Sequence, residues 1–333
     1  MSTLIGSIIV FMLVITLHEL GHFTVAKLCN IKVNEFSIGM GPKLVSATKG
    51  ETSYSLRLLP VGGYVAMEGE EENSNDPRAF NNVSVFKRMA VVIAGVVMNF
   101  ILAVVAFLIV FSILGVRTNV VEDVIDNSPA KMAGMITGDR VVRIENVEII
   151  DWDNLVSNIS SKTDKVSIVV NRDGKEISFN VKPELKDGRY VIGITPKVQK
   201  KFLSSFTAAF KHTLSVIKDV FKTIKMLFNG DAKVSMLAGP VGVINLIGKE
   251  TAKGYLNLLN ILGIISANLA IINLLPIPAL DGGKFLFLLI ESITGKKLSE
   301  KVENSLSLIG LSFLFGIMIY VTIFGDLNRI ING

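Results

Sequence analysis

The 333-residue sequence predicts a polytopic α-helical membrane protein of about four transmembrane helices, interrupted by a β-rich insert. Two observations carry that expectation. Half of the residues are hydrophobic, 19% are charged and the mean hydropathy is +0.53, whereas a soluble domain carries about 25% charged residues. The apolar residues are also gathered into long blocks, and about 20 of them in a row are enough to cross a hydrocarbon core. Disordered, collagen-like and wholly soluble chains are thereby excluded. The single cysteine, Cys29, excludes a disulfide framework and a cysteine-based zinc site. The net charge of +5 is the mild excess that cytoplasmic flanks produce, and it gives no ground for nucleic-acid binding.

The first apolar block covers residues 4–27. No basic region precedes it and no small-residue cleavage pattern follows it, so it reads as a span and not as a signal peptide. The second block, 89–115, holds no ionisable residue. The third begins near Tyr255 and runs through ILGIISANLAIINLL to a break, PIPALDGG. The apolar piece 285–293 after that break is either part of the third span or a separate surface helix. The fourth block is 306–324. Lys27, Lys32, Lys87, Arg88, Lys296, Lys297 and Lys301 flank the spans on one side; Arg117, Lys249, Lys253 and Arg329 flank them on the other. The richer side is expected to be cytoplasmic, with both termini outside.

Residues 117–197 alternate like strands (VSIVV, ISFNV, YVIGI), with turn signals at Asp173-Gly174 and Asp187-Gly188. The stretch SPAKMAGMITGDRVVRIENVEI within them resembles PDZ domains, which capture peptides by adding a strand to a sheet edge. A small β domain that merely spaces the membrane segments is the plainer reading. Residues 200–228 then form a helical pattern. Leu203, Phe206, Phe210, Leu214, Ile217, Phe221, Ile224 and Phe228 make one apolar stripe, and Lys200, Lys201, Lys211, Lys218, Lys222 and Lys225 decorate the rest. Such a helix lies at a membrane interface or packs against the insert. The loop 31–87 reads as strands and turns, VNEFSIGMGPKLVSA and TSYSLRLLPVGGYVAM. In it Gly39, Gly41, Gly62 and Gly63 permit left-handed geometry, and the acidic run 68–72 reads as a solvated tip. The expected organisation is an N-terminal membrane core (1–116), the PDZ-like insert (117–197), an amphipathic helix with its connector (198–254) and a C-terminal membrane core (255–333).

The chemistry is concentrated in His18-Glu19-Leu20-Gly21-His22. Residues i and i+4 share a helix face, so both imidazoles can hold one metal ion, with Glu19 beside them as general base. The setting sharpens the motif. Ionisable groups at mid-helix in a bilayer cost about 2.5–3.5 kcal/mol each on insertion scales, so they call for a functional explanation beyond polar glue between helices. A catalytic zinc takes three protein ligands and leaves one position open. His212 lies on the amphipathic helix, the second span has no carboxylate, and the third span with its Pro-rich end offers one, Asp281. Elimination selects Asp281 as the third ligand. At 1.5 Å per residue, His18 lies about 20 Å inward from the start of its span, toward the inner leaflet. Asp281 ends a span that runs the same way.

HELGH in the first span, Asn273-Leu-Leu-Pro-Ile-Pro-Ala-Leu-Asp281-Gly-Gly in the third and a PDZ-like insert after the second together resemble the site-2 protease family, in particular its regulator-of-sigma-E protease group. The resemblance covers nearly the whole chain. It implies an intramembrane zinc metalloprotease with Zn2+ on His18, His22 and Asp281, Glu19 as catalytic base and Asn273 in contact with substrate or transition state. It also implies that residues 36–65, with Gly39 and Gly41, form a re-entrant β segment offering an edge to an extended substrate. The implied substrates are single-span membrane proteins, such as anti-sigma factors or signal-peptide remnants. The implied location is the bacterial inner membrane, with the PDZ-like domain outside and the active site toward the cytoplasmic leaflet.

Two departures from the family pattern stand out. Val96 replaces a proline common in the second span, and there is room for one PDZ-like unit where some relatives have two. Asn99, in the same pattern, offers a polar group to the site or an interhelical hydrogen bond. The LAGPVGV segment at 237–243 fits the family without a chemical role. Two rival readings are a membrane PDZ scaffold with a non-catalytic metal site and a metal transporter. The intact Glu19 argues against the first, and the clustering of candidate ligands at one depth argues against the second.

Overall fold

The computed structural model describes residues 2–70, 72–231 and 237–332. Its chain divides into two compact units, Met1–Val110 with Ala209–Gly333, and Phe111–Ala208. In lipid every backbone donor and acceptor must be satisfied within the segment, which is why the apolar blocks become helices. Helix α1 spans Ser2–Leu28 and is followed by Asn30 in the left-handed region, at φ 59°. Two long strands come next, β1 (Val33–Lys49) and β2 (Thr52–Met67). Helix α2 spans Val85–Leu114 and includes Lys87 and Arg88 in its first turn, four residues earlier than the apolar block suggests.

β1 and β2 do not form a simple hairpin. Glu35 is paired with both Ala66 and Ser53, and Ile38 with both Gly63 and Leu56. Each strand therefore bends and contributes two segments, giving the order 43–49, 52–57, 33–38, 63–67. The bends fall at Gly39, Gly41 and Gly62, with φ of 83°, 84° and 90°. At Gly39 a Cβ would also sit 2.5 Å from the Leu59 carbonyl oxygen. The inner part of β1 is largely buried, whereas residues 40–49 are exposed, with Leu44 and Val45 among them.

Glu68 and Glu70 of the acidic run are not solvated, although Glu72 is exposed. Glu68 accepts hydrogen bonds from Ser74, Asn34 and Lys32, which hold its carboxyl down to about 2. Glu70 pairs with Lys284. Glu71 of that run lies outside the described residues.

The second unit is the β-rich insert. Its elements are β3 (Val116–Val124), α3 (Pro129–Met132), β4 (Arg140–Ile144), β5 (Val147–Glu148), α4 (Trp152–Ile159), β6 (Val166–Arg172), β7 (Lys175–Val181), β8 (Glu184–Lys186), β9 (Arg189–Val191) and β10 (Ile194–Gln199). The main sheet runs β10-β3-β4-β6-β7 with β5 on β4, while β8 and β9 form a small hairpin. Both turn signals hold. Arg172 pairs with Lys175 across Asp173-Gly174, and Lys186 with Arg189 across Asp187-Gly188. Helix α4 is capped by Asp151 and buries Trp152, Leu155 and Ile159, which join Ile144 and Ile168 in the core.

Helix α5 spans Phe202–Asn229. Several stripe residues, including Phe206, Phe210 and Phe221, are exposed, although Phe210 also meets Phe100 edge-on. The side chain of Phe228 lies outside the described residues. Helix α6 (Pro240–Ala252) packs on α1 through small residues: a Cβ at Gly6 would meet Thr251 at 2.4 Å, and one at Gly248 would meet Thr3 at 2.4 Å. Helix α7 (Tyr255–Leu274) ends at the Pro-rich break, and a separate helix, α8 (Asp281–Thr294), follows. The apolar piece 285–293 therefore belongs to α8 and does not extend the third span.

Helix α9 (Glu300–Val321) continues through a π-turn, Thr322–Leu327, into α10 (Asn328–Asn332). Among the described residues four helical segments, Thr3–Leu28, Val85–Leu114, Tyr255–Leu274 and Lys301–Leu327, are long and apolar enough to cross a membrane. The chain is thus a polytopic helical membrane protein with an inserted β-sheet domain.

Candidate metal centre

α1 presents His18 and His22 on one face, toward α2. The two helices approach with almost no space between them. A Cβ at Gly21 would sit 2.5 Å from the Ala94 carbonyl oxygen, and one at Gly95 would sit 2.4 Å from His22 Nε2 and 2.6 Å from His18 Cε1. Gly95 is thus the cradle for both imidazoles, a role that a lone glycine in an apolar run does not announce. Four residues earlier on the same face, the Val91 carbonyl accepts a hydrogen bond from His22 Nδ1 at 2.8 Å. Four residues later, the Asn99 amide lies 3.3 Å from His18 Nδ1.

Asp281 arrives from the Pro-rich break as the first residue of α8. The two glycines after it are required sterically. A Cβ at Gly282 would sit 2.3 Å from the Leu274 and Leu275 carbonyl oxygens, and one at Gly283 would sit 2.4 Å from that of Ile277. Two ion pairs hold α8 farther along: Lys284 with Glu70, and buried Arg88 with Glu291. Arg88, on α2, thereby ties the helix that carries Asp281 to the helix that cradles both histidines. A cavity of about 640 Å³ reaches Asp281, lined among others by Glu70, Arg88, Lys284, Glu291 and Lys297.

The three candidate ligand atoms converge. His18 Nε2 and His22 Nε2 are 3.2 Å apart, and Asp281 Oδ2 is 3.1 Å from the first and 3.5 Å from the second. Ligands about 2.0–2.1 Å from a tetrahedral zinc stand about 3.3 Å from one another, so the spacing fits such an ion. Asp281 Oδ2 is also buried without a satisfied hydrogen bond. A buried carboxylate oxygen facing two imidazole nitrogens is the polar imbalance that a cation relieves. A His/His/Asp cluster suited to metal binding is therefore present.

The remaining residues singled out in the sequence fall into two groups. Asn273 Nδ2 lies 3.4 Å from His18 Nε2, at the edge of the cluster. Glu19 lies within electrostatic reach of His18, His22, Asp281 and Glu70, and its Cγ is 3.4 Å from where a Cβ on Gly63 would stand. The terminal strand segment 63–67 thus passes beside Glu19. Gly39 and Gly41 occupy the bend of β1 against Leu59. His212 lies on α5 with its ring 4.5 Å from that of Phe107.

Comparison with known proteins places the chain in a family. Residues 6–317 match the profile of peptidase family M50. A Clostridium acetobutylicum protein bearing a zinc-metalloprotease name is 40% identical over 322 residues, covering 95% of each chain. The regulator of sigma-W protease RasP of Bacillus subtilis is 31% identical, covering 99% of each chain. That alignment extends over 420 positions, so the relative carries segments this 333-residue chain lacks. Zinc metalloprotease RasP of Bacillus licheniformis is 30% identical, covering 99% of this chain and all of the relative. The chain belongs to peptidase family M50, among zinc-dependent intramembrane proteases related to RasP and the site-2 proteases.

Proposed function

We propose that this protein is an intramembrane zinc metalloprotease that hydrolyses peptide bonds within or near the transmembrane segments of single-span membrane proteins. The observation that carries the reading is the convergence of His18 Nε2 and His22 Nε2, from the helix bearing HELGH, with Asp281 Oδ2, from the start of α8, at 3.1–3.5 Å. In this reading His18, His22 and Asp281 hold Zn2+. When bound, the ion supplies Lewis acidity, polarising a carbonyl and acidifying water.

The chain's own residues do the rest. Glu19 takes the proton from the attacking water and returns it to the leaving amine. Asn273 donates its amide to the carbonyl oxygen as negative charge develops there. A substrate helix hides its carbonyls in its own hydrogen bonds, and exposing them in lipid costs several kcal/mol each, on the order estimated for unsatisfied backbone groups. The segment 63–67, at the end of its small sheet and beside Glu19, supplies backbone partners for an unwound substrate. Residues 36–65, including Gly39 and Gly41, act as a re-entrant element that presents this edge.

Residues 117–197 act as a PDZ-like capture module. This is supported by the position of β10 at one end of the insert's main sheet, where a peptide strand can be added. Residues 1–116 and 255–333 form the membrane core, and 198–254 provide an interfacial helix with its connector. The basic flanks put the insert on the outer side of a bacterial inner membrane and the HELGH site toward the cytoplasmic leaflet. Anti-sigma factors and signal-peptide remnants are the substrates this reading favours, and the first is in keeping with the sigma-W designation of the Bacillus subtilis relative.

The test is Glu19→Gln. Purified protein is expected to keep one zinc per chain and to lose cleavage of a reporter single-span substrate. Persisting proteolysis in that variant would sink the assignment.

A further inference from the structure

Each imidazole that ligates through Nε2 must carry its proton on Nδ1, and that buried N–H needs an acceptor. For His22 the acceptor is the Val91 carbonyl, 2.8 Å away. For His18 the group facing Nδ1 is the Asn99 amide at 3.3 Å. We infer that Asn99 is a positioning residue that sets the tautomer and direction of His18, so that one face of α2 aims both imidazole lone pairs. The inference rests on the metal-site reading given above.

Three observations support it. Asn99 is 1% exposed, so its amide has no water to turn to. With Nδ2 nearer His18, the Oδ1 at the other end is buried without a partner. The two ends of an amide have the same shape, and hydrogen-bond partners decide which faces where. Turned over, the same amide brings Oδ1 to His18 Nδ1–H. In the opposite arrangement Nδ2 donates to Nδ1 and drives the proton onto Nε2, which points at His22 Nε2 and Asp281 Oδ2. That arrangement would close the cluster to a cation. The backbone of Asn99 is also fixed from outside α2, since Ser266 Oγ on α7 donates to the Asn99 carbonyl at 2.7 Å. Gly95 leaves the room and Asn99 supplies the acceptor, one helical turn apart on one face.

The experiment measures the zinc affinity of the full-length protein in detergent by chelator competition, for the unchanged chain, Asn99→Leu and Asn99→Asp. Loss of an outer hydrogen-bond partner is expected to weaken zinc binding by about 10–100-fold in Asn99→Leu. Asn99→Asp keeps an acceptor and is expected to restore it. Heteronuclear NMR on the zinc-loaded, unchanged chain, whose three histidines give few signals, is expected to find the His18 proton on Nδ1.

Zinc binding by Asn99→Leu as tight as that of the unchanged chain would overturn the inference, and so would a His18 bound through Nδ1. A defect that Asn99→Asp does not rescue would assign Asn99 to packing alone and overturn it too. If Asn99→Leu does not fold, the NMR measurement and Asn99→Asp decide. Absence of zinc binding by the unchanged chain would instead bring down the metal-site reading itself, a failure visible before any variant is made.

Discussion

Two aspartates of the membrane unit have a buried carboxylate oxygen, and their surroundings are opposite. Asp326, in the π-turn after α9, accepts hydrogen bonds from the backbone amides of Gly239 at 3.0 Å and Gly242 at 2.9 Å, with Arg329 Nη1 3.9 Å away. It caps α6 from another part of the chain, at the end where the helix dipole favours an anion. Asp281 instead turns a buried oxygen toward two imidazole nitrogens and leaves it without a satisfied hydrogen bond. A carboxylate surrounded by donors is a fastener. One surrounded by potential electron-pair donors is stable when a cation joins it. The difference also gives the LAGPVG segment a reason. A Cβ at Gly239 or Gly242 would sit 2.6 or 2.4 Å from an Asp326 oxygen, so the two glycines make room for the carboxylate that caps the helix.

The comparison breaks most visibly at Asp281. Asp281→Ala is expected to abolish cleavage of a reporter substrate and to remove most of the bound zinc. Asp281→Asn, which keeps the shape, is expected to weaken zinc binding as well. Unchanged zinc stoichiometry in Asp281→Asn would take Asp281 out of the ligand set and erase the contrast.

Gly95→Ala probes the same centre through space alone. The added methyl would lie 2.4 Å from His22 Nε2, so it must displace an imidazole. Alanine favours a helix over glycine by about 1 kcal/mol, so folding should not suffer from propensity. Zinc affinity is expected to fall by more than tenfold while the helical content stays as it was. Full zinc affinity would show that the imidazoles can move away and that α2 does not frame the site.

Asp326→Ala should do the reverse. It removes the acceptor from a buried amide, that of Gly239, and a partly buried one, that of Gly242. Hydrogen bonds to charged groups are worth about 1.5–3 kcal/mol each, so a stability loss on the order of 3 kcal/mol is expected. At temperatures where the variant remains folded, it should still bind one zinc per chain. A folded Asp326→Ala protein without zinc would show that the two carboxylates are not independent.

Which of these features could be read from the sequence follows from how local their causes are. HELGH is legible because i and i+4 spacing fixes a shared helix face. Asp281 is legible because a charge-poor third span leaves one candidate. The stretches VNEFSIGMGPKLVSA and TSYSLRLLPVGGYVAM were legible as strands and turns, but their folding into four segments was not, since it depends on pairings such as Glu35 with both Ser53 and Ala66. Gly95 and the Val91 carbonyl were illegible for a different reason: in an all-apolar helix, pattern does not reveal which face meets α1. Asp326 meets its partners across more than 80 positions of chain, and no local motif marks that. At Glu68 and Glu70 the acidic run misled because charge density says nothing of partners such as Lys32 and Lys284.

The smallest effect concerns a third kind of carboxylate, at the base of the strand pair and outside the spans. Burial pushes the Glu35 carboxyl up, but hydrogen bonds from Ser55, Arg57 and Lys43 outweigh it and hold the group at about 2. Its folded value thus lies below its unfolded one, so its contribution to stability is complete above the ordinary carboxylate range and is lost as pH falls toward 2. Glu68 is depressed over the same window, so the useful quantity is a difference between two proteins. The thermal midpoint of the unchanged chain minus that of Glu35→Gln should be positive at neutral pH and shrink steadily as the solution is acidified below the ordinary glutamate value. A gap that does not change with pH would mean that Glu35 acts through shape and not through charge. The molecule would then hold two kinds of working carboxylate, Asp281 and Asp326, instead of three.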